Sequence, residues 1–272
     1  MTENATHWFF TITKFLVNSY MNFEIAIPSY KRAGILQERT LKMLEGCDAP
    51  IVVYCETEVD KYIYELSGIT LPIEVTNTIG IGEKRNFITK RGYEKKLDFL
   101  VMLDDDLKYF IDGNGCRYTG EMVMNIIKLG YEKAIENNLR LFGICSYPNS
   151  FYLKNNVSTN LKFIRGTFTG LVLKGEPIYI PINTMEDYYR TLEHYKKDGG
   201  ILRLNFYGMS ADFAKTKGGL QEMGDLRTIE EEQNAQLIVN KFGEKMVKIV
   251  RKKRGVDLRL NNYYKNPAQA TE

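Results

Sequence analysis

The stretch Leu97-Asp-Phe-Leu-Val-Met-Leu-Asp-Asp-Asp106 decides how this chain folds. Leu97 to Leu103 has the length of a strand and is apolar enough to be buried on both faces, the habit of a strand inside a parallel sheet covered by helices. Three carboxylates follow at once, Asp104, Asp105 and Asp106. In open α/β sheets, ligands bind beyond the carboxyl ends of the strands. Working outward, a strand at Phe23 to Ile27 ends in Pro28-Ser29-Tyr30, and residues 34–46 carry apolar side chains at helical spacing. A strand at Ile51 to Cys55, a helix at Val59 to Leu66 and a short strand at Ile73 to Val75 come next. Gly80-Ile81-Gly82 then opens a helix running to Arg91. This β-α-β-α-β-α-β order predicts a mostly parallel central sheet flanked by helices, an α/β fold of Rossmann-like type.

The second half changes character. Helices are predicted at Glu121 to Asn137, about Met185 to Lys197, and Ile229 to Phe242. Strands are predicted at Leu141 to Ser146, Phe163 to Phe168, Leu171 to Leu173, Leu202 to Tyr207 and Met246 to Val250, with a Gly/Ser/Thr/Lys-rich loop over 208–220. No repeat or break in composition separates a second domain, so residues 22–262 read as one unit. Residues 1–21 form an N-terminal extension, and 263–272 a tail. The apolar run in residues 6–21 is too short and polar to span a bilayer.

Composition narrows the class. The chain of 272 residues is 44% hydrophobic and 26% charged, which excludes disordered, collagen-like and coiled-coil proteins. Its net charge is only +3. Four cysteines without C-x-x-C spacing and two histidines do not make a zinc site, and free thiols suit a reducing compartment.

Three features carry chemistry. Residues i and i+2 of an extended strand share one side about 6–7 Å apart, so Asp104 and Asp106 can flank a hard divalent ion such as Mg²⁺ or Mn²⁺ completed by substrate phosphates. The structural alternative is an acidic cap for a short helix starting near Leu107. At Gly80-Ile-Gly-Glu-Lys-Arg-Asn86, two glycines at a helix start leave backbone N–H groups open to an anion, and Lys84 and Arg85 add charge. It is neither a Walker A nor a Rossmann fingerprint. Pro28-Ser29-Tyr30-Lys31-Arg32 can offer a ring and a base to a nucleotide, or be an ordinary strand-to-helix turn. Glu186-Asp187 opens a helix: Asp187 is a candidate general base, or both acids complement the helix dipole.

Taken in order, Ile25-Ala-Ile-Pro-Ser-Tyr-Lys-Arg32, Gly82-Glu-Lys-Arg-Asn86, Phe99 to Asp106 and Met185-Glu-Asp187 resemble glycosyltransferases of the GT-A fold, family-2-like, over residues 22–210. The resemblance implies a nucleotide-sugar donor such as a UDP-sugar, and a divalent metal. It implies that the turn Pro28, Ser29, Tyr30 and the acid Glu56 hold the donor's base, with Arg32 also donor-binding and Glu56 standing where the family usually has Asp. Gly82, Lys84, Arg85 and Asn86 would line the nucleotide side, with Asp104 and Asp105 toward the donor. Asp104 and Asp106 would serve the metal, and Asp187 would be the base of an inverting reaction. The family's third metal ligand is often a later His, and His194 lies inside the helix after Asp187. More narrowly, the compact size, Glu186-Asp-Tyr-Tyr189, Gly218-Gly-Leu-Gln221, Arg227 and a basic C-terminus are similar to phage-type glycosyltransferases associated with TET/J-binding-protein oxygenases. That implies a hydroxymethylated pyrimidine in DNA as acceptor, in the cytoplasm of a bacterial or phage-infected cell.

Charge supports the DNA reading separately. Between Lys241 and Arg259 eight Lys/Arg face two acids, a net +6 in a chain of +3. Within this strip Arg251, Lys252, Lys253 and Arg254 are expected to meet a phosphate backbone, the alternative being a solvated surface. Tyr188, Tyr189 and Tyr207 are candidates for walls around a flipped base. Competing classes are a transferase acting on a glycan, lipid or protein, a nucleotidyltransferase, and a non-catalytic nucleic-acid-binding module. The last leaves the three adjacent acids unexplained.

Overall fold

The computed structural model describes residues 21–212, 225–252 and 255–265. The expected N-terminal extension, the segment Gly218 to Gln221, Lys253 and Arg254 fall outside the described residues, apart from Met21.

The sheet is built on β1 (Phe23–Pro28), β2 (Ile51–Cys55), β3 (Ile73–Val75) and β4 (Phe99–Leu103), in the spatial order β3-β2-β1-β4 and all parallel. The chain steps outward from β1 to β3, then returns to place β4 on the other side of β1. That reversal opens a crevice at the carboxyl ends of β1 and β4. All five residues of β4 are buried. Phe99, Val101 and Leu103 pack into one apolar cluster, and Leu100 and Met102 into the other. Alternation between two buried faces is why this strand reads as continuously apolar.

Beyond β4 the sheet becomes mixed. It continues through β9 (Phe168–Val172), β7 (Leu141–Cys145), β10 (Leu202–Ala211), β5 (Leu107–Asp112) and β6 (Arg117–Tyr118), and the two-residue β8 (Val157–Ser158) pairs with β10. One face carries α1 (Ala33–Leu36), α2 (Glu58–Leu66) and α4 (Glu121–Glu136), the other α3 (Ile81–Glu94), α5 (Glu186–Asp198) and α6 (Asp225–Phe242). The hairpin of β11 (Val247–Lys252) and β12 (Gly255–Leu260) packs on α6.

Four local expectations change. Residues 208–211 are strand and not loop, because β10 runs on to Ala211 against β5. The helix expected over 34–46 begins as the single turn α1 and then widens into a π-helical turn at Gln37–Leu41. Leu107–Asp112 is a strand, not a helix, which removes the capping explanation for the three acids. Residues 163–167 are not a strand: they cross the carboxyl edge of the sheet before β9 begins at Phe168. Among the described residues, no helix is long and apolar enough to cross a membrane, and all four cysteines are free thiols.

Candidate active site

The carboxyl edge of β1, β2 and β4 gathers most of the residues the sequence singles out. After β4 the chain turns instead of continuing extended, so the i, i+2 arrangement expected for Asp104 and Asp106 is replaced by three separate environments. Thr40, aimed by the π-helical turn, pins this bend. Its hydroxyl donates to the Asp104 carbonyl (2.7 Å) and accepts from the Leu107 N–H (3.0 Å). A π-turn at such a place fits its usual association with functional sites.

Asp105 is interior. Ser29 Oγ donates to one carboxylate oxygen at 2.6 Å and Arg32 Nη1 to the other at 3.3 Å, while burial pushes its pKa up. Ser29 also bonds the hydroxyl of Tyr64 at 2.7 Å, and that hydroxyl accepts from the Arg32 N–H at 3.1 Å. Asp106 is 7% exposed, and its Oδ1 is buried without a hydrogen-bond partner. Burial, then the neighbouring Asp104 and Asp105, raises its pKa to about 7. A buried, unmatched carboxylate oxygen is costly unless something positive meets it. Asp104 is the most open of the three, with a 31% exposed side chain, and its Oδ1 accepts from Arg85 Nη2 at 2.6 Å.

Arg85, on the second turn of α3, is 3% exposed and also pairs with Glu186 at the start of α5. One buried guanidinium thus joins the end of β4 to α5. Gly166 makes room for it, since a Cβ there would stand 2.7 Å from Arg85 Cζ. Gly166→Ala is therefore expected to destabilise the fold by about 1–3 kcal/mol, the usual cost of overpacking. In an Arg85→Ala background the same change should cost less than about 0.5 kcal/mol, measured by denaturant titration. Equal costs in both backgrounds would refute the contact.

Lys84 is also buried, and burial lowers its pKa against the raising effect of Glu56. Its Nζ donates to the Ser29 carbonyl at 3.0 Å, lies 3.4 Å from Glu56 Oε1 and sits over the Tyr30 ring. Ser29, Tyr30, Glu56 and Lys84 therefore share one corner of the crevice, beside Pro28 at the end of β1.

Two expectations about α3 are corrected. The N–H groups of Gly82 and Glu83 are not open to an anion: Asn183 Oδ1 accepts both, at 3.0 and 3.2 Å. Gly82 is needed for close approach, because a Cβ there would lie 2.9 Å from the Ile182 carbonyl carbon. Asn86 spends its side-chain amide on the Ile180 backbone, accepting from its N–H at 2.9 Å and donating to its carbonyl at 2.8 Å.

The helix α5 starts from Met185, which adopts a left-handed φ of 58°, a sparsely populated conformation for a residue with a side chain. Asn234 of α6 holds this helix start by donating to Thr184 Oγ1 at 2.8 Å. The left-handed turn places Asp187 with one carboxylate oxygen accepting from the Gly166 N–H (3.2 Å) and the other from the Tyr188 N–H (2.9 Å). Burial raises its pKa, opposed by the Gly166 N–H and by Arg85 and Arg165. Three residues on, Arg190 is 3% exposed, with Nη1 unpartnered, and burial lowers its pKa to about 9 while Asp187 pulls it up.

Other candidates lie elsewhere. His194 bonds Asp198 at 3.1 Å, two turns along α5 from the crevice, and burial lowers its pKa. The three tyrosines are packing residues. Tyr188 stacks on Phe163 with centroids 4.1 Å apart, Tyr189 sits against Phe242 and Lys241, and Tyr207 packs edge-on to Tyr118. Thr40, Tyr64, Gly166, Asn183 and Arg190 were not legible as site residues, being ordinary residue types outside any motif. Among the described residues, no three His, Cys, Asp or Glu side chains converge as a complete metal shell.

No protein-family model and no curated protein matches this chain. Solved structures do. Glucosyl-3-phosphoglycerate synthase from Mycobacterium tuberculosis, in complex with Mn²⁺, UDP-glucose and phosphoglyceric acid, is similar at 11% identity and a TM-score of 0.51, over 93% of this chain and 91% of that one. The same enzyme with Mg²⁺ and UDP gives 10% identity and 0.50, over 93% and 92%. A further mycobacterial protein gives 12% and 0.50, over 93% and 88%. The fold is GT-A. At these identities the likeness is one of architecture, and function has to be argued from this chain's own residues.

Proposed function

We propose that this chain is a divalent-metal-dependent glycosyltransferase that moves a sugar from a nucleoside-diphosphate sugar, such as a UDP-sugar, to a hydroxyl acceptor. The observation that carries the proposal is the Asp106 carboxylate, buried with an unpartnered oxygen beside the more open Asp104, at the carboxyl edge of β4 in a GT-A fold. Two carboxylates with an incomplete protein shell fit Mg²⁺ or Mn²⁺, which keep waters and take substrate phosphates as remaining ligands. When bound, such an ion supplies charge stabilisation to the departing diphosphate.

The chain's own residues do the rest. Tyr30 and Glu56, with Lys84 between them, offer a ring, an acceptor and a cation to the nucleotide. Arg85 holds Asp104 in place from below. Asp187 accepts the proton of the acceptor hydroxyl as its oxygen bonds to the anomeric carbon and the bond to the diphosphate breaks. A single displacement of this kind inverts the anomeric centre.

For the acceptor we propose a hydroxymethylated pyrimidine in phage DNA, in the cytoplasm of the infected or host bacterium. The hairpin supports this: it exposes Lys248, Arg251, Lys252 and Arg259, although Lys252 is paired with Asp257. Incubation with a panel of nucleotide sugars and Mn²⁺, with and without hydroxymethylated DNA, is expected to add one sugar mass to the DNA and release a nucleoside diphosphate, read by mass spectrometry. Release of pyrophosphate would replace the transferase reading with nucleotidyl transfer. Sugar appearing only on a glycan, lipid or protein would retire the DNA acceptor alone.

A further inference from the structure

The strands β4, β7 and β10 run in the same direction, because β9 is antiparallel to both β4 and β7, and β7 is parallel to β10. The loop after β7 therefore emerges on the same edge of the sheet as Asp104–Asp106. On this loop Tyr147, Phe151 and Tyr152 are 43%, 84% and 62% exposed. Tyr152 lies edge-on to both Tyr147 and Phe151, with centroid distances of 6.3 and 5.3 Å. Three large exposed rings side by side are uncommon on a surface with no partner.

Two residues past Tyr152, Lys154 lies close enough to Lys162 and Arg203 for the three charges to act on one another. The Lys162 pKa is lowered by burial and by the other two cations, and among the described residues none of the three forms an ion pair with a carboxylate. Lys95, by contrast, is neutralised by Glu24 and Glu74. Arg203 donates to the Phe163 carbonyl, and Phe163 stacks on Tyr188, which bonds Asp257 of the basic hairpin. A chain of contacts thus links Arg203 to the hairpin.

We infer that the surface of Tyr147, Phe151, Tyr152, Lys154, Lys162 and Arg203 is a docking track for single-stranded nucleic acid, with bases on the rings and phosphates on the cations. Rings interleaved with unpaired positive charge are the combination that binds unstacked bases without reading their sequence. Lys162 lies four positions before Gly166, whose N–H holds Asp187, so the track lies within about 14 Å of that residue along the chain. That is about four nucleotides or fewer at 3.4 Å per step. The inference rests on DNA as the acceptor, and it assigns to this patch the unpaired strand flanking the target base.

The test is fluorescence anisotropy with a labelled single-stranded 12-mer and an abasic oligonucleotide of the same length, with no donor present. The double variant Phe151→Ala/Tyr152→Ala, which alters only exposed side chains, is expected to bind the 12-mer at least tenfold more weakly and the abasic strand as wild type does. Lys154→Gln/Lys162→Gln should weaken both and flatten the slope of log affinity against log salt by about 0.7 for each phosphate no longer neutralised. Unchanged 12-mer binding by the ring variant overturns the track. So does equal weakening on both strands, since the rings would then not be stacking on bases. If wild type binds the 12-mer and only Arg251→Gln/Lys252→Gln weakens it, the track falls and the DNA acceptor stands. If wild type binds neither strand, both fall.

Discussion

Asp106→Asn is expected to leave the protein folded, and more stable than wild type in metal-free buffer at pH 8, while turnover of the donor drops about a hundredfold or more. The two effects have one origin. The Asp106 carboxyl is buried beside Asp104 and Asp105, and its pKa is raised from 3.8 to about 7. A carboxyl whose folded pKa is raised makes the folded state lose stability as pH rises from the ordinary value through the raised one. Asparagine has the same shape and no charge, so it removes that loss. The gain should shrink toward zero as pH falls to about 4. The carboxylate is disfavoured by its burial and its acidic neighbours; under the proposed function it is placed to meet a cation, and stability is commonly given up at such sites. Thermal unfolding at pH 4 and pH 8, with donor hydrolysis in Mn²⁺, checks both halves. Full wild-type activity in excess EDTA, or normal activity of the variant, would remove the metal from the proposal.

The second large effect is expected at Asp187. Asp187→Asn should lower transfer by about 10²–10⁴-fold while nucleotide affinity stays within a few-fold, because a general base acts on the chemical step more than on ground-state binding. The base must be ionised to accept a proton, so wild-type kcat should rise with pH. Burial moves that rise above the usual aspartate range, opposed by the Gly166 N–H, Arg85 and Arg165. The asparagine variant should lose the rise altogether. Nucleotide binding by calorimetry beside single-turnover transfer separates the two roles. Retained turnover would place the proton acceptor elsewhere and withdraw the argument for inversion.

How far the sequence reaches is clearest at α3. Residue types there announce a helix start rich in glycine and cations, and the structure does bring Lys84 and Arg85 into the crevice. The sequence does not say that Asn183, about a hundred residues away, caps the amides of Gly82 and Glu83. Local rules identify an unsatisfied donor but not the distant side chain that satisfies it. The parallel half of the sheet was legible for a related reason, since alternation between two buried faces leaves a continuous apolar run at β4. The strand β5 was not, because its partly solvated face interrupts that run. Gly166 was invisible for a third reason: its importance is the absence of a side chain where Arg85 passes.

Arg85 has a consequence for how this molecule can change over time. One buried guanidinium answers to Asp104 at the end of β4 and to Glu186 at the head of α5. A lineage remodelling the head of α5 would strip a counter-ion from the end of β4, and a lineage altering the end of β4 would unsettle α5. Either step alone leaves an unmatched buried charge, so compensating substitutions should arise in pairs or triplets across segments far apart in the chain. The two halves of the crevice would then drift as a single heritable unit, and chimeras cut between β4 and α5 should recover function only when positions 85, 104 and 186 come from the same parent.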